Sequence, residues 1–453
     1  MTKLDLPRLA ATFRGADVRA GDEGYDAARR VWNGAIDKHP EVVVSCLGVD
    51  DVIEAVGYAR AHDLGVAVRS GGHHVAGSSV LEGGMVIDVS ALREVEVDAD
   101  ARRVGVAGGA QLGDVDAATQ QHGLAVPLGV VSETGVAGLA LAGGYGWMRR
   151  KHGLSCDNVV SADIVTADGH ALHVDADEHP GLFWALRGGG WDLGVVTALE
   201  FQAHPVGPEV YLPFVTYPLS EGLSVLGNLR DFALSAPREF GSIAVCWTYP
   251  RADAFPEELW GEQFIGIVGP YVGDAVEGER VCAPLLDLGT VLTDMSGVVP
   301  WVEAQRFFDE DYPRGRRYFW KSAYLDDLDA DAASVLVDFA AHRPSPLTSL
   351  DLWINGGAIA GIASDATPIA NRSAHFMVGI EANWDDPSQD DANTGWARDT
   401  AAALAPFARP GAYLNFDDLG DPMAVQLAHG TNHERLAAVK RRYDPTNLFR
   451  SRG

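Results

Sequence analysis

The stretch "RSGGHHVAG" (69–77) decides the reading of the chain. It places two glycines, which let the backbone turn sharply and approach a ligand, ahead of two adjacent histidines. Just before it, "EVVVSCLG" (41–48) is a β-branched run. "VDDVIEAVGYARAHDLG" (49–65) has helical spacing with an Asp cap and a closing Gly65, and "VAVRS" (66–70) is strand-like again. This is a βαβ unit whose second strand runs into the histidine loop, and ligands of α/β layers sit beyond the carboxyl ends of such strands. The histidines admit three readings: structural loop residues, metal ligands, or the place where a cofactor is held. A metal would need further His, Cys or carboxylate ligands, adjacent turn residues seldom point at one ion, and no H-E-x-x-H helix is present.

Downstream, "MVIDVS" (85–90) and "VEVDADARRVGVAGGA" (95–110) read as short strands continuing one mixed sheet, followed by a helix near 111–122 that stops at Gly123. A hairpin over 158–174 turns at Asp168-Gly169, and a helix follows near 178–187. After His204-Pro205 the texture changes, with aromatic and proline residues rising in "VYLPFVTYPL" (210–219), which places a domain boundary near 205. The stretch 432–450 pairs an amphipathic helix with a Pro-stopped tail expected to pack back on the body.

A chain of 453 residues with 47% hydrophobic and 22% charged residues is an ordered protein of two to three domains. Its formal charge of −28 opposes binding to nucleic acid, and no apolar run is long enough to span a bilayer. Lysine occurs only at Lys3, Lys38, Lys151, Lys321 and Lys440, a pattern that fits either concentrated salt or a codon bias towards arginine. The cysteines Cys46, Cys156, Cys246 and Cys282 form no C-x-x-C pair, and the first 24 residues have no signal architecture. A cytoplasmic protein with free thiols is expected.

Glycine clusters at 71–72, 143–146 and 188–190 each follow a strand or open a helix, a setting in which backbone N–H groups can line a diphosphate site. None has the G-x-G-x-x-G or G-x-x-x-x-G-K-[ST] spacing, so neither a Rossmann nor a P-loop reading is supported. "RSGGHHVAG", "GVAGLALAGGYGWMRRKHGLSCDNVVSADIV" (135–165), "GGGWDLGVVTALEF" (188–201), "YLNF" (413–416) and "YDPTNLF" (443–449), taken together and in order, resemble the FAD-linked oxidases of the vanillyl-alcohol oxidase type, in the berberine-bridge-enzyme-like branch. The resemblance implies an α+β fold. A two-subdomain, mixed α/β FAD-binding domain (1–205) is joined to a substrate domain (206–410) whose antiparallel sheet, flanked by helices, roofs the flavin, and a C-terminal segment (411–453) returns to the FAD domain.

By the same resemblance, His73 is the covalent link to the 8α-methyl of FAD, with His74 beside it at a variable position. Arg69, Ser70, Gly71, Gly72 and Gly77 form a first diphosphate loop, and Thr134, Gly135, Gly138, Gly143, Gly144 and Gly146 a second. Asn158, Gly194, Val195 and Val196 lie against the rest of the cofactor. Doubly linked relatives carry a cysteine where this chain has Val131, so that second bond is impossible here, and Cys156 is read as a structural thiol.

The cofactor would take a hydride at N5 while a nearby group accepts the substrate proton. In many relatives that group is the last tyrosine of Y-x-N-Y, where this chain has Phe416, which weakens the alcohol reading relative to a neutral amine. Tyr413 and Asn415 remain to orient a substrate, and Lys321, Tyr324 and Asn355, with Asp351, Trp353 and Glu381, are the polar candidates on the roofing sheet, each with a packing role as the alternative. Ala140, at the position resembling the oxygen gate, is small, so O2 is the expected electron acceptor. The rivals are a flavin dehydrogenase with another acceptor and a flavin-binding protein without turnover. Substrate identity and oligomeric state are not legible, because the pocket is built by the variable domain.

Overall fold

The computed structural model describes residues 8–9, 13–420 and 422–450; the opening of the N-terminal stretch read above lies outside them. The β-branched run Val42–Ser45 and the strand Val66–Arg69 both pair in parallel with Met85–Asp88, which lies between them, and Ala16–Arg19 adds an antiparallel edge. The intervening helix Val49–Ala61 buries Val52, Ala55, Val56 and Ala59, the apolar stripe its spacing predicts. Its cap differs from expectation. Gly48 holds the N-cap position, and Asp51 reaches back from the first turn to accept the Leu47 N–H at 2.8 Å.

The strands expected to continue one mixed sheet belong to two. After Met85–Asp88 the chain turns, with the Leu92 N–H donating to the Val89 carbonyl at 2.9 Å. Val95–Asp98 and Arg103–Ala107 then enter a separate antiparallel sheet, with Val195–Gln202 at its centre and the hairpin Val159–Val165/Ala171–Val174 beyond. The hairpin turns at Gly169 (φ 86°), and the helix Leu112–Thr119 ends through a 3₁₀ turn at Gly123, both as the sequence predicts.

From Phe214 onward an eight-stranded antiparallel sheet forms, with Ile243–Thr248, Ser349–Ile354, Phe376–Trp384 and Arg317–Leu325 among its inner strands. Alternation sorts its two faces. Leu350, Leu352, Val378 and Ile380 join the core shared with the helices Gly222–Ser235, Ala330–Ala341 and Asp390–Leu404. Trp320, Tyr324, Trp353 and Met377 face the glycine loops in a second, aromatic-rich core.

Two buried arginines fasten the halves together with hydrogen bonds to carbonyls. Arg149 donates to the carbonyls of Gly241 (2.7 Å), Ser242 (2.9 Å) and Ile354 (2.9 Å), and Arg150 to those of Phe240 and Ala236, both at 3.1 Å. The C-terminal helix His433–Tyr443 lays Arg435 over Trp184 at 3.9 Å, and the tail closes onto the first sheet where the Arg450 N–H donates to Val66. Among the described residues, no helix is long and apolar enough to cross a membrane.

Candidate active site

A cleft opens between the glycine loops, the aromatic face of the large sheet and the C-terminal turn Leu414–Phe416. Its floor is made by the two loops in direct contact. A Cβ added to Gly71 would lie 2.5 Å from the Gly135 amide nitrogen, and one added to Gly135 would lie 2.5 Å from that of Gly71, so the loops meet only because both residues are glycine. Ser70 Oγ and Ser79 Oγ are buried at the floor without a hydrogen-bond partner among the described residues. Buried polar atoms are ordinarily paired, so two orphaned hydroxyls beside bare backbone fit a polar cofactor lying across the loops.

His73 reaches this floor with its ring stacked on Trp32, centroids 4.2 Å apart, and only 10% of its side chain exposed. Burial lowers its pKa, so the imidazole is neutral. His74 also lines the cleft and ties the loop to the C-terminal turn. Its Nδ1 accepts the Ala76 N–H at 3.1 Å, which puts the proton on Nε2, 2.9 Å from the Leu414 carbonyl. Thr134, Gly135 and Gly138 line the same floor, as does Val131, whose side chain has no sulfur to offer.

Several other expected cofactor residues stand behind the cleft. Arg69 is engaged by Asp88 at 2.6 Å and by the Ala28 carbonyl at 2.5 Å, so its guanidinium points into the first subdomain. Gly77 sits against Ile36, Gly144 against Ser155 and Gly146 against the Leu128 carbonyl, while Gly143 faces Ile369 and Tyr413. Asn158 donates to the carbonyls of His152 and Leu154, both at 2.9 Å, and Gly194, Val195 and Val196 are absorbed in sheet packing. Ala140 requires a correction. It is 1% exposed in the core beneath its helix, and its neighbour Leu139 is the residue that faces the cleft, so the argument for oxygen access from a small side chain at 140 does not hold. Cys156 is fully buried away from the cleft, and burial raises its thiol pKa.

On the roof, alternation separates the candidates. Lys321 falls out of phase with Trp320 and Ser322. Its ammonium forms ion pairs with Asp417 (3.5 Å) and Asp418, outside the cleft, which removes it as a substrate contact. Tyr324 and Asn355 share the correct face but stand behind Tyr145, whose hydroxyl accepts from Asn355 Nδ2 at 3.5 Å. Tyr413 and Asn415 do line the cleft. Tyr413 Oη accepts the Tyr145 N–H at 3.1 Å and Asn415 Nδ2 at 2.8 Å, and burial pushes its phenol up, so it serves as a fixed hydrogen-bonding group rather than an ionised base.

The polar centre of the roof is a pair of carboxyl groups. Asp351 lies opposite Gly379 and Glu381 opposite Trp320, which brings both side chains to one face. They are 3% and 2% exposed, and Tyr312 Oη donates to Glu381 Oε2 at 2.7 Å. Burial first, and then the neighbouring Asp351 charge, raise Glu381 well above the usual carboxylate range, and burial pushes Asp351 up to about 7. With both groups raised, the pair resists carrying two charges near neutrality. Among the described residues the cleft lining has no Lys or Arg, and Trp320, Trp353, Tyr312, Phe308 and Phe416 surround the pair with aromatic faces. Phe308, Tyr312 and Trp191 were not signalled by the sequence, since each lies in a loop without periodicity.

A mixed α/β floor under an antiparallel roof, with a glycine cradle and a buried acid pair between them, defines a flavin-dependent oxidoreductase. Residues 40–175 match the FAD binding domain family, and residues 412–452 match the family described as berberine and berberine like. The chain is 30% identical to (R)-6-hydroxynicotine oxidase of Paenarthrobacter nicotinovorans over 97% of its length and 96% of that protein. It is 29% identical to an uncharacterised FAD-linked oxidoreductase of Bacillus subtilis over 96% and 95%. The structure of 6-hydroxy-D-nicotine oxidase from Arthrobacter nicotinovorans superposes with a TM-score of 0.86 at 28% identity, covering 99% of this chain and 98% of that one. Glucooligosaccharide oxidase from Acremonium strictum, described as carrying a 6-S-cysteinyl, 8α-N1-histidyl FAD, shares the fold at a TM-score of 0.85 and 22% identity, covering 96% and 95%. The chain belongs to the berberine-bridge-enzyme-like FAD-linked oxidases, and its fold is theirs.

Proposed function

We propose that the protein is an oxidase carrying FAD bonded to His73. It takes a hydride from a C–H of a small alcohol, sugar or amine, and O2 is the electron acceptor, giving H2O2. The observation that carries this reading is the Asp351–Glu381 pair, a proton acceptor set in an aromatic-walled cleft directly across from the histidine loop. FAD, when bound, supplies the hydride acceptor. The chain supplies the rest: Tyr413 and Asn415 orient the polar end of the substrate, the aromatic walls exclude water, and the carboxyl pair takes the O–H or N–H proton. Phe416 removes the phenol used by many relatives, and the carboxyl pair replaces it, so an alcohol substrate is again compatible with the site. The oxidase relatives support O2 as acceptor. Four buried, unbridged cysteines accord with a reducing, cytoplasmic setting.

The test is an anaerobic panel of alcohols, sugars and amines followed by admission of air. At least one compound is expected to bleach the visible flavin band, and air is expected to restore it with release of H2O2. A panel that never bleaches the band would mark a flavin-binding protein without turnover. Bleaching reversed by an artificial acceptor but not by air would mark a dehydrogenase.

A further inference from the structure

Glu133 stands outside the hydride chemistry yet faces the histidine of the attachment site. Its Oε1 lies 3.5 Å from His73 Nε2, a buried nitrogen with no other polar partner among the described residues. Its Oε2 accepts from Arg314 Nε at 2.9 Å, and Arg314 Nη2 donates to the Gly71 carbonyl at 2.8 Å, in the turn that carries the histidine. The imidazole cannot rotate freely away from this carboxylate. It is stacked on Trp32, which is itself stacked on Tyr318 at 3.7 Å and pinned by its indole N–H to the Tyr312 carbonyl at 2.8 Å. Burial alone would raise Glu133, but the contacts to His73 and Arg314 outweigh it and hold the group below its ordinary value, so it is a carboxylate at neutral pH. A carboxylate facing one ring nitrogen fixes the tautomer with the proton there and leaves the lone pair on the other.

We propose that Glu133, held by Arg314, is a positioning residue for covalent attachment of the flavin: it keeps the proton on His73 Nε2, leaves the Nδ1 lone pair for the 8α carbon, and takes the Nε2 proton as the bond forms. The proposal rests on the reading of His73 as the attachment site. In the step, an 8α C–H and the imidazole N–H break and an N–C bond forms. The isoalloxazine takes the electron pair and, through solvent, the two protons, which leaves the attached flavin reduced. Dioxygen then accepts that pair and those protons, giving H2O2 and the oxidised, attached cofactor. Glu133 is one-third exposed, which gives the proton a route to water. Because Arg314 belongs to the segment leading into the roofing strand Arg317–Leu325, the arrangement is complete only once the two halves of the molecule have docked.

The experiment compares the wild type with Glu133→Gln, Glu133→Ala and Glu133→Asp as full-length proteins, incubated with added FAD in air. Two quantities are read over time: total flavin per polypeptide, and the share that stays with the polypeptide after acid precipitation. For Glu133→Ala the initial rate at which the covalent share grows is expected to fall at least about 10-fold, with total flavin retained. Glu133→Gln, which still accepts a hydrogen bond but takes no proton, should fall between, and Glu133→Asp should recover much of the wild-type rate. A purely structural role would lower total flavin and leave the covalent share of what is bound unchanged. A covalent share in Glu133→Gln and Glu133→Ala that grows as in the wild type overturns the proposal while leaving the His73 reading intact. A wild type whose flavin is wholly released by acid overturns both.

Discussion

Replacing Glu381 with Gln is expected to lower turnover about 10²- to 10⁴-fold, the contribution of a positioned acid or base, while flavin content stays at the wild-type level. The amide keeps the shape of the side chain and an oxygen to accept from Tyr312, so packing against Trp320 and Phe416 changes little. What it loses is the carboxyl that shares the pair's proton with Asp351, so the substrate proton can no longer be passed between the two groups. The pH dependence gives the sign. The active pair must have a free lone pair, so wild-type kcat/KM should climb as pH rises through about 7, where Asp351 ionises, and this limb should shift along the pH axis in Glu381→Gln, which removes the neighbouring carboxyl.

Stability should move the other way. Both carboxyl groups have pKa values raised by folding, so the native chain holds a proton that the unfolded chain releases. Their contribution is present at acid pH and is lost as pH rises from the ordinary carboxylate range through the raised values. Glu381→Gln should therefore melt at a higher temperature than the wild type above neutrality, an exchange of stability for activity common at functional sites. Thermal melts and steady-state rates across the same pH series check both halves. An unchanged rate with an unchanged pH profile would remove the pair from the chemistry.

Gly71→Val is expected to strip the protein of flavin without unfolding it. The new Cβ would lie 2.5 Å from the Gly135 nitrogen, 3.0 Å from its Cα and 3.2 Å from the Glu133 carbonyl, all backbone atoms that cannot yield as a side-chain tip would. The two loops must separate, and the surface they jointly present to a cofactor is lost. Overpacking of this kind costs about 1–3 kcal/mol, which, taken out of cofactor binding, is roughly a 5- to 150-fold loss of affinity. The core of the large sheet lies elsewhere and the strands of the five-stranded sheet are not in the contact, so the circular dichroism spectrum should be that of the parent. The ratio of visible to ultraviolet absorbance in purified protein measures the effect, and a parental ratio would show that the loop contact does not hold the cofactor.

The parts of the molecule legible from sequence are those whose information is local. The βαβ unit, the hairpin at Gly169 and the histidine loop are written in periodicity, turn chemistry and glycine spacing within a few residues. Placing Met85–Asp88 and Val95–Asp98 in one sheet failed because the short turn between them carries no glycine or proline to mark where the chain leaves the first sheet. Side-chain direction was harder. Lys321 differs from Trp320 only by one step of a period of two, and which phase faces the cleft depends on pairing with Phe376–Trp384. Ala140 and Leu139 differ by one step of a helix in the same way. Asp351 and Glu381 were visible as strand carboxylates, but their proximity needs the register that sets Asp351 opposite Gly379. The contact between Glu133 and Arg314 spans 181 positions and leaves no trace in either local sequence.

The proposed chemistry requires a flavin lodged over the Gly71–Gly135 contact and bonded to the imidazole of His73. The most direct measurement is the visible spectrum of purified protein after acid precipitation, beside that of His73→Ala. A yellow pellet from the wild type and a colourless pellet from the variant are the predicted result. Colour released wholly into the supernatant by the wild type, or retained equally by the variant, would contradict it.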